Sequence, residues 1–243
     1  MMLWYKAWFE SRTRFCLCAL FLTGFSCVTV LYYSRYTSQL SWAGEEPPGY
    51  HEYLWRIVYA GGNSLREVFC IMILFLGAGG LHKERTGSAA FTLSLPVPRW
   101  QLILARSGVG LLEVAALSFV PAVVIAAVSP MVHESYSAIL GAQFALLWMV
   151  FGSAIFSLAL LCSVLIEGEY SAPLTSLALF VAYSISTRAP ANINAMMSGE
   201  GLPYFRSATF ELVGLPWTQL GFATIFSGIL LTCAVHATRR QSF

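Results

Sequence analysis

Long apolar stretches alternate with short polar ones along the whole chain. Six of them are poor in charge: residues 15–33, 57–81, 107–128, 136–166, 170–187 and 216–235. A helix crosses the hydrocarbon core of a bilayer with ~20 mostly apolar residues. The pattern therefore predicts an all-α, polytopic membrane protein with six transmembrane helices. The run at 136–166 is long enough for a tilted span with a helical extension. Between the runs, the outer loop at 34–56 contains Glu45-Glu46-Pro47-Pro48-Gly49, a turn-rich and poorly helical run. Residues 131–135 read as a tight turn. The loop at 188–215 is too apolar for a solvated linker and is expected to fold back on the membrane face as short helices.

An even number of spans puts both ends on one side. Lys and Arg in the short loops set which side that is. With the N-terminus cytoplasmic, the inner side holds Lys6, Arg12, Arg14, Lys83, Arg85, Arg99, Arg106, Arg239 and Arg240. The outer side holds Arg35, Arg56, Arg188 and Arg206. The bias favours cytoplasmic termini. Residues 1–14 mix Trp4, Tyr5, Trp8 and Phe9 with Lys6, Arg12 and Arg14, which predicts a helix lying in the inner headgroup layer. The start resembles a signal peptide, but no A-x-A-like cleavage site follows, so 15–33 is expected to be retained as the first span.

Composition sharpens this picture. The chain is 57% hydrophobic and 11% charged, with a mean hydropathy of +0.67. Soluble domains carry roughly 25% charged residues, so lipid must cover much of this surface. A net charge of +2, with no basic stripe, gives no reason to expect nucleic acid. The six cysteines all fall in apolar runs, which argues against a disulfide-stapled outer domain. An intramembrane aspartyl protease needs two Asp residues, and there is no Asp; no HExxH zinc motif occurs, and no enzyme activity is expected.

Three ionisable residues interrupt the spans: Arg66, Glu67 and Glu113. Such groups are costly in lipid and usually face protein or water. Glu113 lies seven residues past Arg106, ~10 Å along a helix. It reads as a structural partner of Arg106, a cavity-lining group or a proton carrier. Arg66 and Glu67 read as interfacial residues, as partners of another span, or as a gate.

The loop at 82–106 separates two apolar runs with a compact charged cassette. Residues 82–95 can form a short amphipathic helix, which Phe91, Leu93 and Leu95 seat on the membrane domain. Pro96 and Pro98 then end it. The order is Gly77-Ala78-Gly79-Gly80, then Glu84-Arg85-Thr86-Gly87-Ser88, then Phe91-Thr92-Leu93-Ser94-Leu95-Pro96-Val97-Pro98-Arg99, with Arg106 opening the next span. This resembles the type-two (ABC-2-type) permeases of ABC transporters. Their pattern runs Glu, Gly-Thr, a Leu-Leu or Ser-Leu step, Pro-Val-Ser-Arg and Lys. Here Ser88 stands for the Thr, Pro98 for the Ser and Arg106 for the Lys.

The resemblance implies a cytoplasmic coupling helix between the second and third spans. It would dock on a separate ATP-binding subunit through His82, Lys83, Glu84, Arg85, Thr86, Gly87, Ser88, Phe91, Pro96, Pro98 and Arg99. It also implies two ATPase copies, a second or sister permease, and a bacterial plasma membrane as the location. No Gly-x-x-x-x-Gly-Lys-Ser/Thr phosphate loop occurs in the chain. ATP and Mg are therefore expected on the partner, with no cofactor on this chain. The expected function is an exporter permease. An ion-coupled transporter using Glu113, or a non-transporting anchor or sensor, stands as the alternative.

Overall fold

The computed structural model describes residues 2–42, 48–60, 65–78, 99–166, 174–178, 205–206, 211–212 and 215–240. They are helical apart from turns and one short strand pair. Helix α1 runs Met2–Trp42, α2 Tyr50–Leu54 and α3 Leu65–Ala78. Helix α4 runs Arg99–Val128, α5 Ala138–Leu165 and α6 Trp217–Arg240. A π-helical turn, Trp55–Ala60, follows α2, and a 3-10 turn, Ser129–Val132, follows α4. Four helical segments are long and apolar enough to cross a membrane: Leu3–Trp42, Trp100–Val132, Ala138–Leu165 and Trp217–Thr238. They contain the expected spans at 15–33, 107–128, 136–166 and 216–235 apart from a residue or two at the edges.

Helix α5 is the hub, buried along most of its length, while α1 and α6 are mostly exposed. Their outward faces carry Leu17, Leu20, Phe222 and Ile225 in the open, a pattern suited to lipid rather than water.

Packing pairs give each helix a direction. Tyr59 stacks on Phe144, Phe69 on Trp148, and a Cβ at Gly152 would touch Ile73. Numbers rise together, so 50–78 runs parallel to α5. A Cβ at Gly152 also meets Val114, and one at Gly110 meets Phe156, so α4 is antiparallel to α5. Ser227 meets Ser157, and Ala234 packs with Val164, so α6 is parallel to α5. Trp4 covers Gly108 and Ser11 reaches Glu113, so α1 runs with α4.

Two ends of the bundle follow from these directions. The terminal end gathers the start of α1, Ile103 of α4, Val164 of α5 and Ala234 of α6. The tyrosine end gathers Tyr33, Tyr36, Tyr50, Tyr53 and Ser129. Helix α5 finishes at the terminal end and α6 begins at the other.

Several expectations are corrected. Residues 2–14 do not form a separate interfacial helix; they continue without a break into α1, ~61 Å long. The reason is a packed face repeating at Ser11, Phe15, Cys18, Leu22, Ser26, Thr29 and Tyr33. It holds one register from the first turns onward. The loop expected at 34–56 is shorter among the described residues: α1 extends to Trp42 and α2 starts at Tyr50, while Pro48 and Gly49 of the turn-rich run are not helical. Of the second run, 57–81, the described residues are the end of the π turn, 57–60, and α3 at Leu65–Ala78; 61–64 and 79–81 lie outside them. Residues 99–106 are not loop but the opening turns of α4. Within 188–215, Phe205–Arg206 pairs antiparallel with Glu211–Leu212, with Phe205 opposite Leu212, where short helices were expected. Of the fifth run only 174–178 is described, and it is helical.

Candidate functional site

The described ionisable groups inside the bundle form two separate places. The first is Glu113, at the middle of α4 and 3% exposed. Its Oε1 accepts a hydrogen bond from the Ser11 hydroxyl of α1. The Ala7 carbonyl, 3.1 Å from Ser11 Oγ, is the alternative acceptor for that single hydroxyl proton. Oε2 of Glu113 is buried without a hydrogen-bond partner among the described residues. Arg106 and Arg14 are the positive charges that act on it. Below it, the Trp4 indole lies so close to Gly108 that a Cβ there would sit 2.5 Å from Cη2. Glycine at 108 thus lets α1 approach α4 closely enough for a serine to reach a carboxylate.

The second place is Arg66 on α3, 5% exposed, with Nη2 3.7 Å from Glu67 Oε1. Arg66 also acts on the buried Cys70 one turn further along. It lies one turn before Phe69, which meets Trp148, while Glu113 adjoins Val114, opposite Gly152. The two places are therefore about 12 Å apart along the bundle axis and do not form one site. Among the described residues, no three metal-ligating groups come together.

The cassette residues His82, Lys83, Glu84, Arg85, Thr86, Gly87, Ser88, Phe91, Pro96 and Pro98 lie outside the described residues. Their anchors do not. Gly77, near the end of α3, sits against Phe156 and Ala159, and α4 starts at Arg99. Both anchors lie at the terminal end. No protein-family model, curated protein or solved structure matches this chain. The functional argument therefore rests on geometry and on the motif.

Sequence reasoning missed the tyrosine end. The Tyr53 hydroxyl donates to the Thr29 carbonyl at 2.9 Å, and the Tyr50 hydroxyl meets Ser129 Oγ at 2.6 Å. Tyr33 packs edge-on to Tyr50 at 4.9 Å. These contacts tie α2 to α1 and to the 3-10 turn. The signal was present in the tyrosine spacing, but a Glu-Glu-Pro-Pro run within the same stretch pointed to loop. Burial, and then the neighbouring tyrosines, push Tyr53 up to about 12. Burial likewise raises Tyr50, against the opposing effect of its Ser129 bond. The folded state holds these phenols neutral, so their contribution is complete below the ordinary tyrosine pKa of about 10 and declines as pH rises toward 12. A phenolate absorbance titration should show these groups ionising late, together with loss of structure. Normal titration of every tyrosine in an intact fold would contradict this packing.

Sequence reasoning also missed the α5–α6 contact. Ser157 and Ser227 hydroxyls lie 2.8 Å apart, and Ser227 reaches the Ser153 carbonyl at 3.2 Å. Hydroxyl pairs of this kind join helices where no water competes. Ser227→Ala is expected to cost about 0.6 kcal/mol of bundle stability. Denaturant unfolding in detergent measures it, and a change above ~2 kcal/mol would mean the serines do more than join helices.

Proposed function

We propose that this chain is the membrane-spanning permease subunit of an ATP-driven ABC exporter, with six crossings and both termini in the cytoplasm. The carrying observation is where the cassette is anchored. It leaves α3 and enters α4 at the same end of the bundle as both chain termini, the end to which α1, α4 and α6 bring Arg12, Arg14, Arg106, Arg239 and Arg240. An excess of cations marks the cytoplasmic side, where an ATPase would stand. That α5 finishes at the terminal end and α6 begins at the other supports a fifth crossing, and the direction of 50–78 supports a second.

In this reading the cassette is a short rigid lever. Glu84 and Arg85 supply directional ion pairs to a separate ATP-binding subunit, which carries ATP and Mg. Closure of two such subunits draws the levers of two permeases together and tilts their helices about α5. Glu84→Ala or Arg85→Ala is expected to weaken co-purification of the ATPase subunit or to uncouple its hydrolysis from transport. Unchanged association and unchanged substrate-stimulated hydrolysis would remove the coupling assignment.

Orientation has its own check. In a chain with its native cysteines replaced, Ser88→Cys should react with an impermeant maleimide only after the cells are opened. Glu134→Cys should react in intact cells. The reverse pattern would place the cassette outside and end this reading.

The buried Glu113 with its unpartnered Oε2 favours one rival, an ion-coupled transporter working without an ATPase.

A further inference from the structure

We propose that Arg12 holds the phosphate of an anionic phospholipid from the leaflet at the terminal end, making α1 a lipid-binding helix. The outward face of α1 repeats Tyr5, Phe9, Arg12, Cys16 and Leu20 at helical spacing, and all five are exposed. This face lies opposite the one that packs on α4. Arg12 is the single charge on this face, and after Arg14 the helix carries no further charge until Arg35. Among the described residues no carboxylate pairs with Arg12. The nearest acid in sequence, Glu10, is instead 3.6 Å from Lys6. A cation on a lipid-facing helix without a protein counter-ion is costly unless the lipid supplies one.

The geometry shows how it is supplied. The Arg12 guanidinium lies 3.7 Å from the centroid of the Phe9 ring. That contact is one turn toward the terminal end, so the side chain runs back along the helix to the headgroup layer. Stacking fixes the plane of the guanidinium and leaves its N–H edges free for a bidentate phosphate contact. Tyr5 continues the aromatic surface, with its ring 6.3 Å from that of Phe9. Above Arg12, Cys16 and Leu20 border Gly24, where a side chain would meet nothing within 4 Å. This shallow strip suits an acyl chain below the headgroup.

Charge selects the lipid class. Among the described side chains this end carries Lys6, Arg12, Arg14 and Arg106, against Glu10 and Glu113. A net positive rim favours a headgroup with net negative charge over a zwitterionic one.

The test is native mass spectrometry of the purified full chain with phosphatidylglycerol and phosphatidylcholine at equal concentration. The wild type should retain phosphatidylglycerol preferentially. Arg12→Ala should lose about fivefold of that retention, and Arg12→Lys, which keeps charge without the planar fork, should fall between. Phe9→Ala leaves the charge in place but frees the guanidinium, and should lose about twofold. Phe9→Ala tests the site even if Arg12→Ala fails to fold. Equal retention by wild type and all three variants would overturn the proposal. Equal binding of the two lipids would also overturn it. So would full displacement by millimolar inorganic phosphate, which would indicate a small-anion site.

Discussion

Gly110→Leu is expected to prevent assembly of a stable bundle. A Cβ at Gly110 would run into the Phe156 ring, with Cζ nearest and Cε2 at 2.6 Å. Phe156, 2% exposed, also borders Gly77 of α3, where a Cβ would meet its carbonyl oxygen at 2.9 Å and its ring Cδ2 at 3.3 Å. Overpacking a fitted core costs typically 1–3 kcal/mol, and a leucine driven into this buried ring should reach or exceed ~3 kcal/mol. Gly110→Ala should cost about 1–3 kcal/mol. Adding Phe156→Leu should make the pair cheaper than the sum of the single changes, because the smaller side chain yields the space. Denaturant midpoints of the detergent-solubilised protein measure each corner of this cycle. Strict additivity, or a Gly110→Leu chain as stable as wild type, would show that α4 and α5 do not meet here.

Arg106→Ala carries the second large effect. It removes one of two cations acting on a carboxylate that is 3% exposed, while Ser11 remains as its hydrogen-bond donor. Arg106 is half-buried and acts on Glu113 as a nearby charge rather than as a bonded partner, so about 1 kcal/mol is expected. Glu113→Gln in the same chain should restore most of that loss, since no buried charge is left to satisfy. Failure of the second change to rescue stability would mean that Glu113 is not held by Arg106. The same variant separates the two functional readings. For an ATPase-coupled permease, Glu113→Gln keeps transport dependent on the partner's ATP. For an ion-coupled transporter, it abolishes transport in a chain that still folds.

Much of the architecture was legible because its cause is local. Runs such as 107–128 and 216–235 have no charge or one, and a lipid-embedded backbone must satisfy its hydrogen bonds internally, so helix follows from composition. Glu113 stood out as costly for the same reason. Less local features were misread. The aromatic and basic start of the chain has the composition of an interfacial helix. Only its two contacts with α4, Trp4 on Gly108 and Ser11 at Glu113, made it the first turns of one long helix.

What the sequence alone determined is the material of the protein: apolar helices for lipid, an excess of cations near one end, and a charged cassette between two runs. Tertiary structure decided how the helices face one another. Burial, glycine contacts and hydroxyl pairs depend on residues far apart in the chain, such as Tyr53 with Thr29 and Ser157 with Ser227. Periodicity marks which face of a helix is apolar. In a chain apolar on nearly every face it cannot tell lipid from a neighbouring helix, and that choice is made by close packing alone.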